Sequence, residues 1–317
     1  MKRSQLGPLL GTLFSVLLGL LPYQPLRAET WRFALIGDTP YNDHERQELP
    51  KIIAAIGAEN VDFVIHAGDF KHSRDECSDA LFEDRRQMFD ASTAPFIYVP
   101  GDNEWTDCDR LTAGHHQPLE RLAKLRMLFM SGDESLGQRR LQLERQPGEY
   151  REHQRWRVGP ALFLTLNVPG GNNNYQKTGW PSTEAAARMP QVLAWLREGF
   201  ALARRDGLRG IVVVMQANPG IKHFNAALAH SGFRDLLAVL TEETAAFPGS
   251  VVLVHGDTHW HRIDQPLRDP QTHRTLANFT RVETFGYPFL GWVKGVIDSD
   301  AEGNPPALFR FETRRWP

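Results

Sequence analysis

The sequence predicts an α/β domain built on a largely parallel sheet, and two observations carry that expectation. Short runs rich in Val, Ile and Phe alternate with amphipathic stretches of helical spacing, and no linker, repeat or low-complexity segment interrupts them. Strand-length apolar runs separated by helices are the pattern of strand–helix–strand units, whose crossovers set neighbouring strands parallel. Composition agrees: 317 residues, 41% hydrophobic and 23% charged, describe an ordinary globular chain with enough apolar material for a large core. The formal net charge is -2, and no basic run exceeds a doublet, so a nucleic-acid partner is not implied.

Residues 1–28 carry Lys2 and Arg3, an apolar stretch from Leu9 to Leu21, then Pro22, Pro25 and a small residue at Ala28. This is the pattern of a secretory signal peptide, and the apolar run is short for a bilayer core of about 30 Å. The competing reading is an uncleaved anchor. Cleavage removes Lys2, Arg3 and Arg27 and leaves 29–317 as one exported domain, periplasmic or secreted, with no stable membrane span. Strands are expected at 31–36, 61–67, 95–100, 161–168, 210–215 and 250–255, and helices at 49–60, 184–207 and 233–244. Beyond His261 the helical spacing stops, and 275–283, 291–300 and 307–315 are expected to close the fold as antiparallel strands. The two cysteines, Cys77 and Cys108, both lie in the exported part, where an even pair is expected to form a disulfide. Two long connections, one running on from Asn103 and one over 167–182 dense in Gly and Asn, have the length of binding loops.

Gly-Asp occurs at 37–38, 68–69, 101–102 and 256–257, each time directly after a strand-like run, whereas Gly132-Asp133 follows none. A single instance is an ordinary turn. Four at strand ends are different, because parallel strands present their carboxyl ends along one edge, where ligands bind. Two like charges about 4 Å apart repel by about 4 kcal/mol at an effective dielectric near 20, so converging carboxylates call for a divalent cation.

In this order and strand context, "GDTP" (37–40), "HAGDFKH" (66–72), "VPGDNEW" (99–105), "VVMQANP" (213–219) and "HGDTHWH" (255–261) resemble the motifs of the calcineurin-like metallophosphoesterases. The resemblance runs from Phe33 to about Asp298. It implies a four-layer α/β/β/α sandwich, two divalent metal ions, a small-molecule phosphate ester as substrate, and attack on phosphorus by a metal-bound hydroxide. Asp38, Asp69, Glu104 and His259 match the family pattern. Pro40, Asp102, Asn103, Gln216 and Asp257 depart from it, four of the five where the family carries histidine.

Carried over residue by residue, the resemblance implies Asp38, Asp69, His72 and His259 around a first metal. His72 there replaces the missing first-motif histidine, as a tyrosine three residues after the second Asp does in purple acid phosphatases; Tyr41 is the rival ligand. The second metal would take Asp69, Asp102, Gln216 and Asp257, an oxygen set that favours Mg²⁺, Mn²⁺ or Ca²⁺ over Zn²⁺. Asn103 stands where the family histidine assists the leaving group, and an amide has no proton to give. His223, His115, His116 and His261 are the candidates to supply one, while His66 and His255, inside apolar runs, read as core or supporting groups. The alternative from another class is a catalytically impaired descendant that binds a metal or a phosphorylated ligand.

Overall fold

The computed structural model describes residues 29–176, 179–225, 231–300 and 308–317. The expected signal segment, 1–28, lies outside the described residues. The strands are β1 (Thr30–Ile36), β2 (Phe63–His66), β3 (Phe96–Tyr98), β4 (Glu144–Arg145), β5 (Gln154–Val158), β6 (Ala161–Thr165), β7 (Gly210–Val214), β8 (Ser250–His255), β9 (Arg262–Asp264), β10 (Phe279–Glu283), β11 (Gly291–Asp298) and β12 (Phe309–Arg315). The helices are α1 (Asp43–Ala58), α2 (Asp79–Asp90), α3 (Pro118–Phe129), α4 (Gly170–Asn174), α5 (Thr183–Arg205), α6 (Ile221–Asn225) and α7 (Arg234–Ala246). Among the described residues no helix is long and apolar enough to cross a membrane.

Two mixed sheets form, in the orders β12-β11-β1-β2-β3 and β4-β5-β6-β7-β8-β10-β9. β1, β2 and β3 are parallel in the first, as are β6, β7, β8 and β10 in the second. Alternate side chains of both sheets, among them Phe33, Phe63 and Ile97 from one and Phe163, Val212 and Val254 from the other, share one buried cluster. The opposite face of the first sheet packs on α1, α2 and α3, and that of the second on α5 and α7. These three apolar layers, in which each fully buried Leu, Val or Phe contributes about 1.5–3 kcal/mol, make the α/β/β/α sandwich.

Three details differ from the sequence reading. β10 pairs parallel to β8, Phe279 opposite Val251, instead of closing an antiparallel edge. Its direction follows from the crossover through β9, a strand of only three residues, Arg262, Ile263 and Asp264, too short for pattern reading to find. α1 begins at Asp43, ahead of the apolar spacing, because Asn42 caps it by accepting from Glu45 N at 2.9 Å. α2 and α3 were not anticipated; each buries a narrow stripe, Phe82, Arg85 and Phe89 in α2, beneath an otherwise charged surface.

Candidate active site

Each Gly-Asp pair lies just past the carboxyl end of β1, β2, β3 or β8, and Gln216 just past β7, so the two sheets bring the five motifs to one edge. Asp38, Asp69 and Asp102 are buried there and Asp257 is half-buried. The backbone is bent to aim them: Asp38, Asp69, Asp257 and His259 all adopt positive φ, at 49°, 57°, 77° and 56°. Such conformations cost energy in non-glycine residues and gather at functional sites.

The glycines have a specific task. A Cβ on Gly101 would stand 2.0 Å from Asp69 Oδ1, and one on Gly256 would stand 2.1 Å from Asp38 Oδ2. Each glycine thus makes room for the carboxylate of a different motif, so the pair is a packing unit between strands as well as a turn. Gly170 has the same relation to Asp102, with both carboxylate oxygens 2.7 Å from its would-be Cβ. It opens α4, in which Gly171, Asn172 and Asn173 wind left-handed. Buried Arg188 of α5 anchors that turn by donating to Asn167 O and Asn173 Oδ1, each at 2.8 Å.

The centre of the site is the Tyr41 hydroxyl. It donates to Asp69 Oδ2 at 3.1 Å, accepts from Asn103 Nδ2 at 3.0 Å and lies 3.3 Å from His259 Nε2. His259 Nε2 is in turn 3.6 Å from Asp38 Oδ1. Tyr41 is held from behind, because Glu45 in the first turn of α1 accepts from its backbone N at 2.7 Å. Asp38 accepts from Asp257 N at 2.9 and 3.1 Å, which ties the first motif to the last.

Tyr41 and His72 stand differently toward the carboxylates. His72 is half-buried and meets Tyr41 ring to ring at 5.6 Å, while its Nδ1 accepts from Arg74 N within its own loop. Tyr41, not His72, touches Asp69. Gln216 lies within the cluster: its Oε1 accepts from Gly170 N at 2.6 Å and its amide NH2 donates to Asp69 Oδ2 at 3.0 Å. The Asn103 NH2 is spent on Tyr41 and on Lys71 O at 3.0 Å, so it positions the phenol instead of facing a substrate.

His223 is exposed on α6, in the wall of a cleft of about 740 Å³ that begins at Asn218 and Thr258, and no hydrogen bond joins it to the carboxylates among the described residues. His261 uses both ring nitrogens, on Glu283 O and Thr313 Oγ1. His115 is bonded to Asp109 O and His116 lies beside Glu76, both outside the cluster. His66 and His255 are buried, and burial lowers them to about 4 and about 3, so both are neutral core groups. Glu104 clamps two motifs together by accepting from Phe70 N and Gly101 N.

Pattern reading missed Glu283. It is fully buried at the end of β10 and accepts from Thr258 Oγ1, from Trp260 N and from Arg262 Nη2, so it holds the loop that carries His259. A carboxylate closing an apolar strand was the available signal. Cys77 and Cys108 form a disulfide with Cα atoms 5.8 Å apart, and it joins the loops that follow Asp69 and Asp102.

Burial, reinforced by the neighbouring carboxylates, holds Asp38 and Asp69 well above the usual carboxylate range. Burial raises Asp102 as well, and burial followed by the Asp102 charge raises Asp257 to about 7. Asp102 Oδ1 is buried and has no hydrogen-bond partner, and Asp257 accepts from Asn218 N through one oxygen only. A divalent cation fits this donor chemistry: it would satisfy the orphaned oxygen and relieve the mutual repulsion. Among the described residues no three His, Cys, Asp or Glu side chains stand at metal-binding spacing; hydrogen bonds from Tyr41, Gln216 and Asn103 N occupy Asp69 instead.

Residues 32–261 match the calcineurin-like phosphoesterase family model, so the chain belongs to that family and is a metal-dependent phosphoric ester hydrolase by class. Solved structures agree on the fold. A dimetal phosphatase from Danio rerio is 14% identical over 90% of this chain and 99% of that one, with a TM-score of 0.51. PhoD is 12% identical over 90% and 68%, with a TM-score of 0.55. A comparison with curated protein sequences yields no significant match. The family uses two divalent metals.

Proposed function

We propose that this chain is an exported hydrolase of small phosphate esters that works with two divalent metal ions at the sheet edge. The observation that carries the reading is the convergence of Asp38, Asp69, Asp102 and Asp257 with His259, including a buried Asp102 oxygen that no protein group satisfies. Asp38, Asp69 and His259 would hold one ion, with the Tyr41 hydroxyl beside them. Asp69, Asp102 and Asp257 would hold the other, and so oxygen-rich a set favours Mn²⁺, Mg²⁺ or Ca²⁺ over Zn²⁺. Metals bound there would polarise phosphoryl oxygens and supply a nucleophile at neutral pH.

In hydrolysis a water oxygen bonds to phosphorus as the ester P–O bond breaks, and the departing oxygen needs a proton. Asn103 cannot give one, and His223 and His261 are engaged elsewhere or face outward. The Tyr41 hydroxyl is held by Asp69, and burial makes it a weaker acid than an ordinary phenol, so solvent is left to supply that proton, which favours esters of acidic alcohols. Where a positioned acid is missing, poorer leaving groups lose about 10²–10⁴ in rate.

The test is metal analysis of the purified chain, then hydrolysis of p-nitrophenyl phosphate and bis(p-nitrophenyl) phosphate with Mn²⁺, Mg²⁺, Ca²⁺ or Zn²⁺. Turnover abolished by Asp69→Ala and by His259→Ala is the expected result. Bound metal with no turnover of either ester would favour the alternative of a binding protein. Comparing rates on the two esters gives the mono- versus diester preference. Export is checked by the intact mass of protein recovered from a secreting host, expected to begin at Glu29.

A further inference from the structure

A second cleft, of about 750 Å³, opens on the His259 side of the site. Trp260, Tyr287 and Phe289 line it while 72%, 43% and 67% exposed, and Arg315 and Trp316 line it as well. Single exposed aromatics are unremarkable, but three beside one functional histidine form an apolar patch that water solvates poorly. Arg315 makes no ion pair among the described residues. Two points of the wall are anchored: the Trp260 backbone N donates to Glu283 Oε1 at 3.2 Å, and Trp316 Nε1 donates to Glu48 Oε2 at 2.9 Å.

His259 belongs both to this cleft and to the carboxylate cluster. Tyr287 stacks on Tyr41 at 6.3 Å and 23°, and the Tyr287 carbonyl lies 2.8 Å from His259 Nδ1. A group that leaves phosphorus next to Tyr41 and His259 therefore has an aromatic surface directly beside it. Building on the phosphoesterase reading, we infer that this cleft is the leaving-group subsite and that it takes a planar aromatic alcohol, its ring stacked on Trp260 and Phe289 and within reach of Arg315. Rings stack on indole and phenyl faces, and a guanidinium adds a cation–π contact or pairs with an acidic ring substituent. Phenol-type alcohols are also acidic leaving groups, which is what a centre without a positioned histidine acid needs.

The experiment compares p-nitrophenyl phosphate with glycerol 2-phosphate. Trp260→Ala and Phe289→Ala should each lower the ratio of the two kcat/KM values about tenfold. Calorimetry with Mn²⁺ present then compares phenylphosphonate with methylphosphonate, neither of which is hydrolysed. The phenyl compound should bind about tenfold tighter to the unaltered protein and lose that margin in either variant. An unchanged kcat/KM ratio in both variants, or equal affinity for the two phosphonates, overturns the subsite. Turnover of neither ester overturns the phosphoesterase reading alone, and the phosphonate comparison still decides the cleft.

Discussion

At Tyr41 a phenol from the first motif reaches the carboxylate of the second. Its hydroxyl is shared by Asp69, Asn103 and His259, and its backbone is fixed by Glu45. Removing it leaves Asp69 one donor short and frees His259, whereas removing His72 takes away only a ring that packs on Tyr41. Tyr41→Phe should therefore weaken Mn²⁺ binding about 10–100-fold, and His72→Ala by less. Metal retained after desalting, measured by mass spectrometry, checks the order; the reverse ranking would return the ligand role to His72. Asp38, Asp69, Asp257 and their glycines were legible in the sequence because Gly-Asp after a strand is a local signal. The Tyr41 hydroxyl was not, because its position depends on Asn103 and His259, which lie 62 and 218 residues away in sequence.

Two elements hold the site loops in register. The disulfide closes a loop with a sequence separation of 31, which limits the unfolded chain by about 3–4 kcal/mol. Cys77→Ser, Cys108→Ser or reduction should lower the melting temperature by about 5–10 °C, read by calorimetry. On the other side, Arg188 is fully buried between Glu184, Asn167 and Asn173 and supports the left-handed turn against Asp102. Replacing it with Met takes the Arg188 donors away from Asn167 O, Asn173 Oδ1 and Glu184 Oε1, leaving Glu184 only its bond from Asn174, and should cost about 3 kcal/mol, measured by denaturant unfolding. The Gly- and Asn-rich composition of 170–174 marked an unusual backbone, but its role as a cover for Asp102 rests on an α5 side chain.

Over the whole molecule, the carboxylate edge couples stability to pH and metal. Burial, before any other cause, raises Glu104, Asp107 and Asp257 to about 7, while unfolded carboxyls titrate near about 4. In that interval the folded state binds more protons than the unfolded one, so the stability from these groups is full below pH of about 4 and falls as pH rises to about 7. Buried His66, His153 and His255, lowered to about 4, about 4 and about 3, act in the opposite sense below pH of about 6.5, but the raised carboxyls, with Asp38, Asp69 and Asp102 among them, outnumber them, so metal-free protein in EDTA should melt at a lower temperature at pH 8 than at pH 5. Added Mn²⁺, taking the place of those protons, should raise the melting temperature more at pH 8. A metal-free melting temperature that climbs from pH 5 to pH 8 would contradict the buried-carboxylate account.

The sequence by itself determined the strand–helix alternation, the strand ends that carry the carboxylates and the need for a cation to reconcile them. Each is written in nearest neighbours: apolar period, a Gly-Asp turn and the repulsion of like charges. Only the tertiary structure decided that β10 runs parallel to β8, that Gln216 turns a donor toward Asp69, that Asn103 serves Tyr41, and that the proline of "GDTPY" is followed by the residue which occupies the centre. These outcomes depend on which groups from distant segments satisfy one another once water is excluded. No local pattern encodes that.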